Sequence, residues 1–171
     1  RDCLLSRGLG DVYKRQAQNV VNRTKSICVG LEPCVIPALG HSNFKIEDGT
    51  MEFGVGHHGE AGTKVEKLKS ASEMAQEMAE TILNDFDFEE GKEVAVMLSS
   101  LGATPVMELY VLYDEVEKVL AKAGHKVWKT YIGNYVTSLD MNGASLTIVD
   151  LDDEIKELLS EPAVPIGMKN Y

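Results

Sequence analysis

Apolar and polar residues alternate from Met51 to Val55, which is the pattern of a β-strand with one buried face. The chain then becomes polar and rich in glycine, so that residues 51–62 read MEFGVGHHGEAG. Glycine has no Cβ atom and accepts positive φ angles, so that backbone or a ligand can approach it closely. Because a strand that ends in a polar loop delivers side chains to a sheet edge, this stretch is the candidate functional site.

Helical spacing of apolar residues predicts two longer helices. Ser70 and Glu73 have the spacing of a capping box. The apolar positions that follow share one helix face and are Met74, Ala75, Met78, Ala79, Ile82 and Leu83. A second helix is predicted over residues 105–122, with Thr104 as its N-cap and Gly124 just beyond its end. Residues 17–24 are expected to end another helix, and residues 152–159 to form a short one with an acidic first turn.

Alternating segments predict the remaining strands of the sheet. Residues 26–35 and 93–98 have strand character, whereas residues 63–69 and the Ser99-Ser100 pair are expected to be irregular. A long strand is predicted over residues 127–141. The Asn142-Gly143 pair is a typical hairpin turn, from which residues 144–151 would return antiparallel. This order of elements predicts an α+β fold, a two-layer arrangement with a mixed, largely antiparallel sheet and helices packed on it.

His57, His58 and Glu60 are the residues of the glycine-rich stretch that can carry chemistry. Adjacent histidines on an extended chain point to opposite faces, so they would not chelate one metal ion together. The stretch is also a poor phosphate loop, because no Lys-Ser/Thr pair follows the glycines. A single imidazole with a carboxylate two residues on can act as a general base or as a nucleophile toward a carbonyl carbon. A turn whose histidines only make hydrogen bonds is the alternative, and these residues alone leave both open.

The stretch at residues 51–62 resembles the signature of the dihydroxyacetone kinase family, G-[VL]-G-x-H-G-E-x-G, found in the second domain of its ketone-binding (K) subunit. Three further stretches resemble that domain in the same order: RTKSICVGLEPCVIPALG over residues 23–40, LGATPVMELYVLY over residues 101–113 and YVTSLDMNGASLTIVDLDDE over residues 135–154. The resemblance implies that residues 17–171 are the C-terminal half of a longer protein with the fold of this second domain.

The resemblance also implies a role for the signature histidine, which is His58 here. In the family this residue adds to the ketone carbon of dihydroxyacetone and forms a hemiaminal, which holds the ketone for phosphorylation to dihydroxyacetone phosphate. A reversible covalent bond would add affinity for a small ketone and reject glycerol, which lacks a carbonyl. From its spacing, Glu60 is expected to orient the imidazole. Substrate contacts are expected at Gly54, Gly56 and Gly59, and no metal site is expected.

The family context implies partners beyond this chain. The enzyme would be a phosphotransferase with an alcohol acceptor in glycerol metabolism, cytoplasmic and a homodimer. This domain would bind no cofactor itself, because the donor, ATP-Mg or a phosphorylated partner, belongs to another domain or subunit such as a nucleotide-binding L-type one. The family's first domain, which carries a glycine-rich stretch and a catalytic Asp, has no counterpart here. The chain alone is therefore expected to be inactive.

Two departures from the family pattern leave the substrate open. His57 replaces a residue that is usually apolar, and Ser99-Ser100 replaces an often Asn-rich form. A kinase for another ketose such as erythrulose is therefore an alternative. A non-catalytic relative that binds the ketone and regulates a partner is a rival class. A His-dependent hydrolase is disfavoured, because no Ser or Cys lies in a nucleophile motif such as G-x-S-x-G.

Composition and charge limit the binding partners and the cellular environment that the chain is expected to have. The chain has 171 residues and a net charge of −10, which argues against binding to nucleic acid or to anionic membrane surfaces. It has no apolar run of the roughly 18 residues that a membrane-spanning helix needs. Its three cysteines have neither zinc-type nor redox spacing, and their odd number is typical of a reducing cytoplasm.

Residues 1–16, RDCLLSRGLGDVYKRQ, differ in composition from the rest of the chain. They carry four basic and two acidic residues, whereas the remaining residues carry 13 basic and 25 acidic ones. The segment resembles a translated adapter or cloning remnant, so it is predicted to be non-native and to lie outside the domain of residues 17–171. A natural amphipathic N-terminal helix is the alternative.

Overall fold

The structure, a computed structural model, describes residues 2–42, 44–58, 60–85, 91–168 and 170, with side chains from residue 10 onward. In these ranges the chain forms four helices and six strands. In chain order they are α1 (Asp2–Asn22), β1 (Thr24–Glu32), β2 (Thr50–Phe53), β3 (Lys64–Lys67), α2 (Ala71–Asn84), β4 (Glu93–Ser100), α3 (Val106–Lys122), β5 (Lys126–Gly133), β6 (Asn142–Asp150) and α4 (Asp153–Ser160). None of the helices in these ranges has the length and apolar character needed to cross a bilayer.

The six strands form one sheet in the spatial order β3-β2-β1-β6-β4-β5. All neighbouring strands are antiparallel except β4 and β5, which are parallel and are joined by α3 as a β-α-β crossover. The predicted α+β fold with a mixed, largely antiparallel sheet is confirmed.

Helices α2 and α3 pack against each other and cover one face of the sheet. The core on this face includes Val29, Met51 and Phe53 from the strands, so the predicted alternation in β1 and β2 is confirmed. On the opposite face, Ala95 of β4 packs with Leu151 and with Ile155 of α4. A second small cluster on that face consists of Cys28, Cys34, Val55, Leu101 and Met141. It connects the loop that follows β2 to the ends of β1 and β4.

Helices α2 and α3 lie where the sequence predicts them, and only the N-cap of α3 differs. The capping box of Ser70 and Glu73 is present, and Ala75 and Met78 lie on the buried face of α2. The predicted cap of α3 by Thr104 is wrong, because Pro105 is the N-cap residue and no side chain caps this helix. The Thr104 hydroxyl instead donates to the Gly143 carbonyl (2.7 Å) and accepts from the Gly143 N–H (2.8 Å), which joins the start of α3 to β6.

The predicted hairpin at Asn142-Gly143 is wrong. Strand β5 ends at Gly133, and β6 pairs with β1 and β4 rather than with β5. Gly143 lies within β6 and not in a turn. Glycine is needed here because a Cβ at this position would overlap the carbonyl oxygen of Val29 on β1. Residues 134–141 therefore form a connecting segment, not the second half of a long strand.

Two polar segments expected to be irregular belong to the sheet. Residues 64–67 form the edge strand β3, whose Lys64 side chain pairs with Glu77 of α2. Charged side chains are common on edge strands, because they discourage pairing with another chain. Ser99 and Ser100 end β4 and are fully buried. Their hydroxyls bond to nearby backbone groups, which makes burial of these polar side chains tolerable.

Candidate functional site

The polar loop after β2 is closed at its base by hydrogen bonds from both sides. The N–H of Thr63 donates to the carbonyl of Phe53 (2.8 Å), and the N–H of Gly62 donates to the buried carboxylate of Glu52 (2.5 Å). At the other end the N–H of Gly54, whose φ is 76°, donates to the carbonyl of Cys28 on β1 (2.7 Å). These contacts hold the loop at the ends of β2 and β3, which it connects.

Two positions of the loop have no room for a side chain larger than that of glycine. A Cβ on Gly56 would overlap the carboxylate of Glu60, and a Cβ on Gly62 would lie 2.6 Å from both Glu52 Cγ and the carbonyl oxygen of Phe53. The N–H of Gly56 donates to the carbonyl of Glu60 (3.0 Å), which closes a tight turn. The predicted substrate contacts of Gly54 and Gly56 stay predictions, and that of Gly59 lies outside the described residues.

The two histidines point to different environments. The side chain of His58 is 88% exposed. His57 is half-buried, with its Nδ1 4.0 Å from the thiol sulfur of Cys28 and its Nε2 buried without a hydrogen-bond partner among the described residues. The expectation that adjacent histidines diverge agrees with this arrangement. Among the residues described, no cluster of three or more His, Cys, Asp or Glu could hold a metal ion.

Glu60 binds the backbone of His58 more closely than its ring. Its Oε2 accepts from the N–H of His58 at 2.9 Å, whereas its Oε1 lies 3.6 Å from His58 Nδ1. The backbone N–H groups of Glu60 and His58 hold the pKa of the Glu60 carboxyl below its ordinary value. Glu60 is therefore ionised at neutral pH, but its Oε1 lies beyond hydrogen-bond distance of Nδ1, so its predicted orienting role stays a prediction.

A facing wall completes the site and was not expected from the sequence. His57 and His58 line an open cavity of about 340 Å³ together with Cys34 and Ile36 on one side and residues 137–139 on the other. The hydroxyl of Ser138 donates to the carbonyl of His57 at 2.7 Å, so the wall contacts the histidine loop directly. No local signal marks residues 137–139, because VTSL continues the apolar and polar alternation that suggested a strand.

The wall is held to the end of β4 by buried polar groups. The hydroxyl oxygen of Ser99 accepts from the N–H groups of Tyr135 (2.9 Å) and Val136 (3.0 Å), and the N–H of Ser138 donates to the carbonyl of Leu101 (2.6 Å). Leu139 has a φ of 54°, a conformation that residues other than glycine seldom adopt and that is often found at functional sites. The result is an exposed imidazole that faces a wall held by hydrogen bonds to the end of β4.

Comparison with known proteins shows the class to which this domain belongs. The Dak1 domain family model matches residues 6–166, so the chain belongs to the Dak1 domain family. The dihydroxyacetone-binding subunit DhaK of PTS-dependent dihydroxyacetone kinase 1 from Listeria innocua serovar 6a is 40% identical over 141 residues, which cover 82% of this chain and 43% of that protein. The present chain therefore spans less than half the length of this relative.

Two other similar proteins differ in their described roles. The D-erythrulose kinase of Mycolicibacterium smegmatis is 36% identical over 154 residues, which cover 90% of this chain and 26% of that enzyme. The solved structure of the dihydroxyacetone kinase operon co-activator Dha-DhaQ superposes with a TM-score of 0.81 at 28% identity, covering 87% of this chain and 46% of that one. The resemblance to the dihydroxyacetone kinase family is thus confirmed, and its members include kinases for two ketoses and a co-activator.

Proposed function

We propose that this chain is the ketone-binding half of a dihydroxyacetone kinase and that His58 holds the ketone covalently. The observation that carries the proposal is the placement of His58, which occupies the signature histidine position, extends from a glycine-rich loop and lines an open cavity beside a carboxylate. A relative described as a dihydroxyacetone-binding subunit supports the substrate class. The reaction served would be phosphorylation of dihydroxyacetone to dihydroxyacetone phosphate.

Glu60 beside Nδ1 favours the imidazole tautomer that carries its proton on Nδ1 and leaves the Nε2 lone pair free. Nε2 attacks the carbonyl carbon, a C–N bond forms and the carbonyl π bond opens. The oxygen takes up a proton while the ring releases its Nδ1 proton, so the neutral hemiaminal forms without net proton exchange. Glu60 stabilises the transient imidazolium, since its lowered pKa keeps it anionic.

The covalent bond explains how an exposed site can select a small substrate. Glycerol lacks the carbonyl and cannot form the adduct, so the reaction itself supplies the discrimination. The exposed ring of His58 is accessible to a ketone without rearrangement of the core. The anchored ketone would present a terminal hydroxyl for phosphoryl transfer, which depends mainly on positioning and charge stabilisation.

The phosphoryl donor is proposed to lie on another domain or subunit, as ATP-Mg on an L-type nucleotide-binding unit or as a phosphorylated partner. No Lys-Ser/Thr pair follows the glycines of the histidine loop, which supports a donor site outside this chain. A missing first domain, a homodimer and a cytoplasmic location belong to the same proposal.

Two alternatives have specific support. Similarity to an erythrulose kinase favours a four-carbon ketose, for which the polar His57 beside the cavity gives additional reason. Similarity to an operon co-activator favours a regulator that binds the ketone without transferring phosphate. An upstream first domain that lacks the family's catalytic Asp would support the regulator, and one that carries it would support the kinase.

Binding of ketone to a full-length protein that contains this chain tests the proposal. Calorimetry with dihydroxyacetone, erythrulose and glycerol measures affinity. NMR with ketone labelled with ¹³C at the carbonyl shows whether this carbon becomes tetrahedral. We expect both ketone binding and the tetrahedral signal to be lost in His58→Ala and kept in His57→Ala, with no binding of glycerol. Normal binding by His58→Ala and loss in His57→Ala would show that the assignment is wrong.

A further inference from the structure

The peptide group between His57 and His58 is held by hydrogen bonds on both of its edges. Its carbonyl accepts from the hydroxyl of Ser138 at 2.7 Å, and its N–H donates to the carboxylate of Glu60 at 2.9 Å. The peptide unit is planar, so its carbonyl and N–H turn together. Rotation of this plane would break both hydrogen bonds at once, and the pair therefore fixes its orientation.

The orientation of this peptide matters because little else positions the His58 ring. Its side chain is 88% exposed, and Glu60 Oε1 lies 3.6 Å from its Nδ1, beyond hydrogen-bond distance. The direction of the Cα–Cβ bond of His58 depends on the adjoining peptide plane. A group that holds this plane therefore acts on the imidazole through the backbone.

Ser138 is suited to hold the plane because it is itself immobilised. It is 6% exposed, its N–H donates to the carbonyl of Leu101 at 2.6 Å, and its carbonyl accepts from the N–H of Met141 at 3.1 Å. The contact with Leu101 connects it to the end of β4, an interior strand of the sheet. Glu60, by contrast, belongs to the same loop as His58 and has a 62% exposed side chain.

We propose that Ser138 is a positioning residue that fixes the His57–His58 peptide group from the facing wall and thereby orients His58 toward the ketone. That Ser138 fixes the peptide plane rests on the two hydrogen bonds. That this favours attack of His58 on the ketone rests on the proposed function. Ser138 contacts the backbone of His57 and takes no part in bond formation. Its effect is to raise the fraction of molecules whose imidazole is oriented for attack.

Two measurements on the full-length protein test this proposal. Hydrogen exchange at the His58 amide reports directly on the peptide group, and ¹³C-ketone NMR reports the fraction of adduct. For Ser138→Ala we expect the His58 amide to exchange faster and the affinity for dihydroxyacetone to fall about tenfold, as loss of one hydrogen bond suggests. Ser138→Thr, which keeps the hydroxyl, should restore both. Ser26→Ala is the control, since Ser26 bonds to Thr147 elsewhere in the sheet and does not line the cavity.

The outcomes separate this inference from the proposed function. Unchanged His58 amide exchange in a folded Ser138→Ala protein would overturn the structural part whatever the substrate. Suppose that His58→Ala abolishes the ketone adduct. Faster exchange of the His58 amide in Ser138→Ala, with an undiminished fraction of adduct, would then overturn the positioning role alone. If His58→Ala leaves ketone binding intact, the proposed function and the orienting role both fail. If Ser138→Ala does not fold, the same two measurements on Ser138→Cys, a weaker donor of similar size, decide the question.

Discussion

The backbone carbonyl of Leu139 lies against the Cα of Gly102, so closely that a Cβ on Gly102 would overlap the carbonyl oxygen. The two residues adopt unusual backbone angles, with a φ of 140° at Gly102 and 54° at Leu139. The contact joins the segment after β4 to the wall of the cavity that contains His58. The shape of the site thus depends on a glycine outside the signature loop.

We predict that Gly102→Ala lowers the free energy of unfolding by about 2–4 kcal/mol, because the added methyl group clashes with backbone and the φ is unfavourable for alanine. Urea denaturation followed by circular dichroism measures the change. Gly10→Ala is the matched control, since it lies in α1 with no atom within 4 Å of its Cβ position. The control should change the free energy by less than about 1 kcal/mol. Equal effects of both substitutions would show that the contact between Gly102 and Leu139 is not restrictive.

Local sequence patterns sufficed for the histidine side of the site. Alternation at Met51 and Phe53 predicted a strand, and both residues are buried in β2. The following glycines and histidines predicted a loop at its end, and the structure places His58 there. These features depend on neighbours in the chain, which is why a single sequence contains the signal.

The facing wall depends on contacts between distant residues, so local patterns misassigned it. Ser99 looked like a loop residue because it is polar, but hydrogen bonds from Tyr135 and Val136 satisfy it inside the core. Asn142-Gly143 is typical of a hairpin, yet β6 lies between β1 and β4, and Gly143 allows the close approach to Val29. Only the sheet order reveals these constraints.

The thiol of Cys28 gives the protein a predicted sensitivity to alkaline pH. Burial raises the pKa of Cys28 from 9.0 to about 11. The folded state therefore keeps the thiol proton of Cys28 at a pH where the unfolded chain releases it. The contribution of Cys28 to the free energy of unfolding is present below pH 9 and is lost as the pH rises from 9 to about 11.

We expect the melting temperature of Cys28→Ala to fall less steeply with pH across this window than that of the unsubstituted protein. The cavity left by the substitution costs the same at every pH, so the two slopes, measured by thermal denaturation in matched buffers, are compared rather than the absolute values. Parallel curves would mean that Cys28 ionises equally readily in both states.

Deletion of residues 1–16 is predicted to leave the melting temperature within about 2 °C, because the ion pair of this segment with the domain is exposed and the hydrogen bond from Gln16 to Glu154 is long, at 3.4 Å. Helix α1 continues through this segment, and Arg15 donates to both carboxylate oxygens of Glu154 at 2.9 and 2.6 Å. The Arg15 side chain is 60% exposed, so solvent weakens this ion pair. Differential scanning calorimetry of the deleted chain and of Arg15→Ala checks the prediction. A drop of several degrees on deletion alone would indicate a native, packed segment.

The isolated 171-residue chain is predicted to fold. Helices α2 and α3 share a continuous core with the sheet, which includes the fully buried Met78, Leu109 and Leu146. A cooperative urea transition and dispersed amide NMR signals would confirm a packed core. A non-cooperative transition would show that the remaining part of the relatives' length is needed for folding.

The same chain is predicted to show weak or undetectable ketone binding and no phosphoryl transfer, although it contains His58. The ring is 88% exposed and its cavity is open, so water competes with every polar contact that a bound ketone could make. Glu60 already accepts from the His58 backbone, and removal of a catalytic base or of charge-stabilising groups typically costs orders of magnitude in rate. A coupled assay with dihydroxyacetone and, in turn, ATP-Mg or a phosphorylated carrier measures turnover, with His58→Ala as the background. Turnover near that of an intact kinase would place the catalytic base in this half of the protein, and Glu60→Gln would then be the first substitution to test.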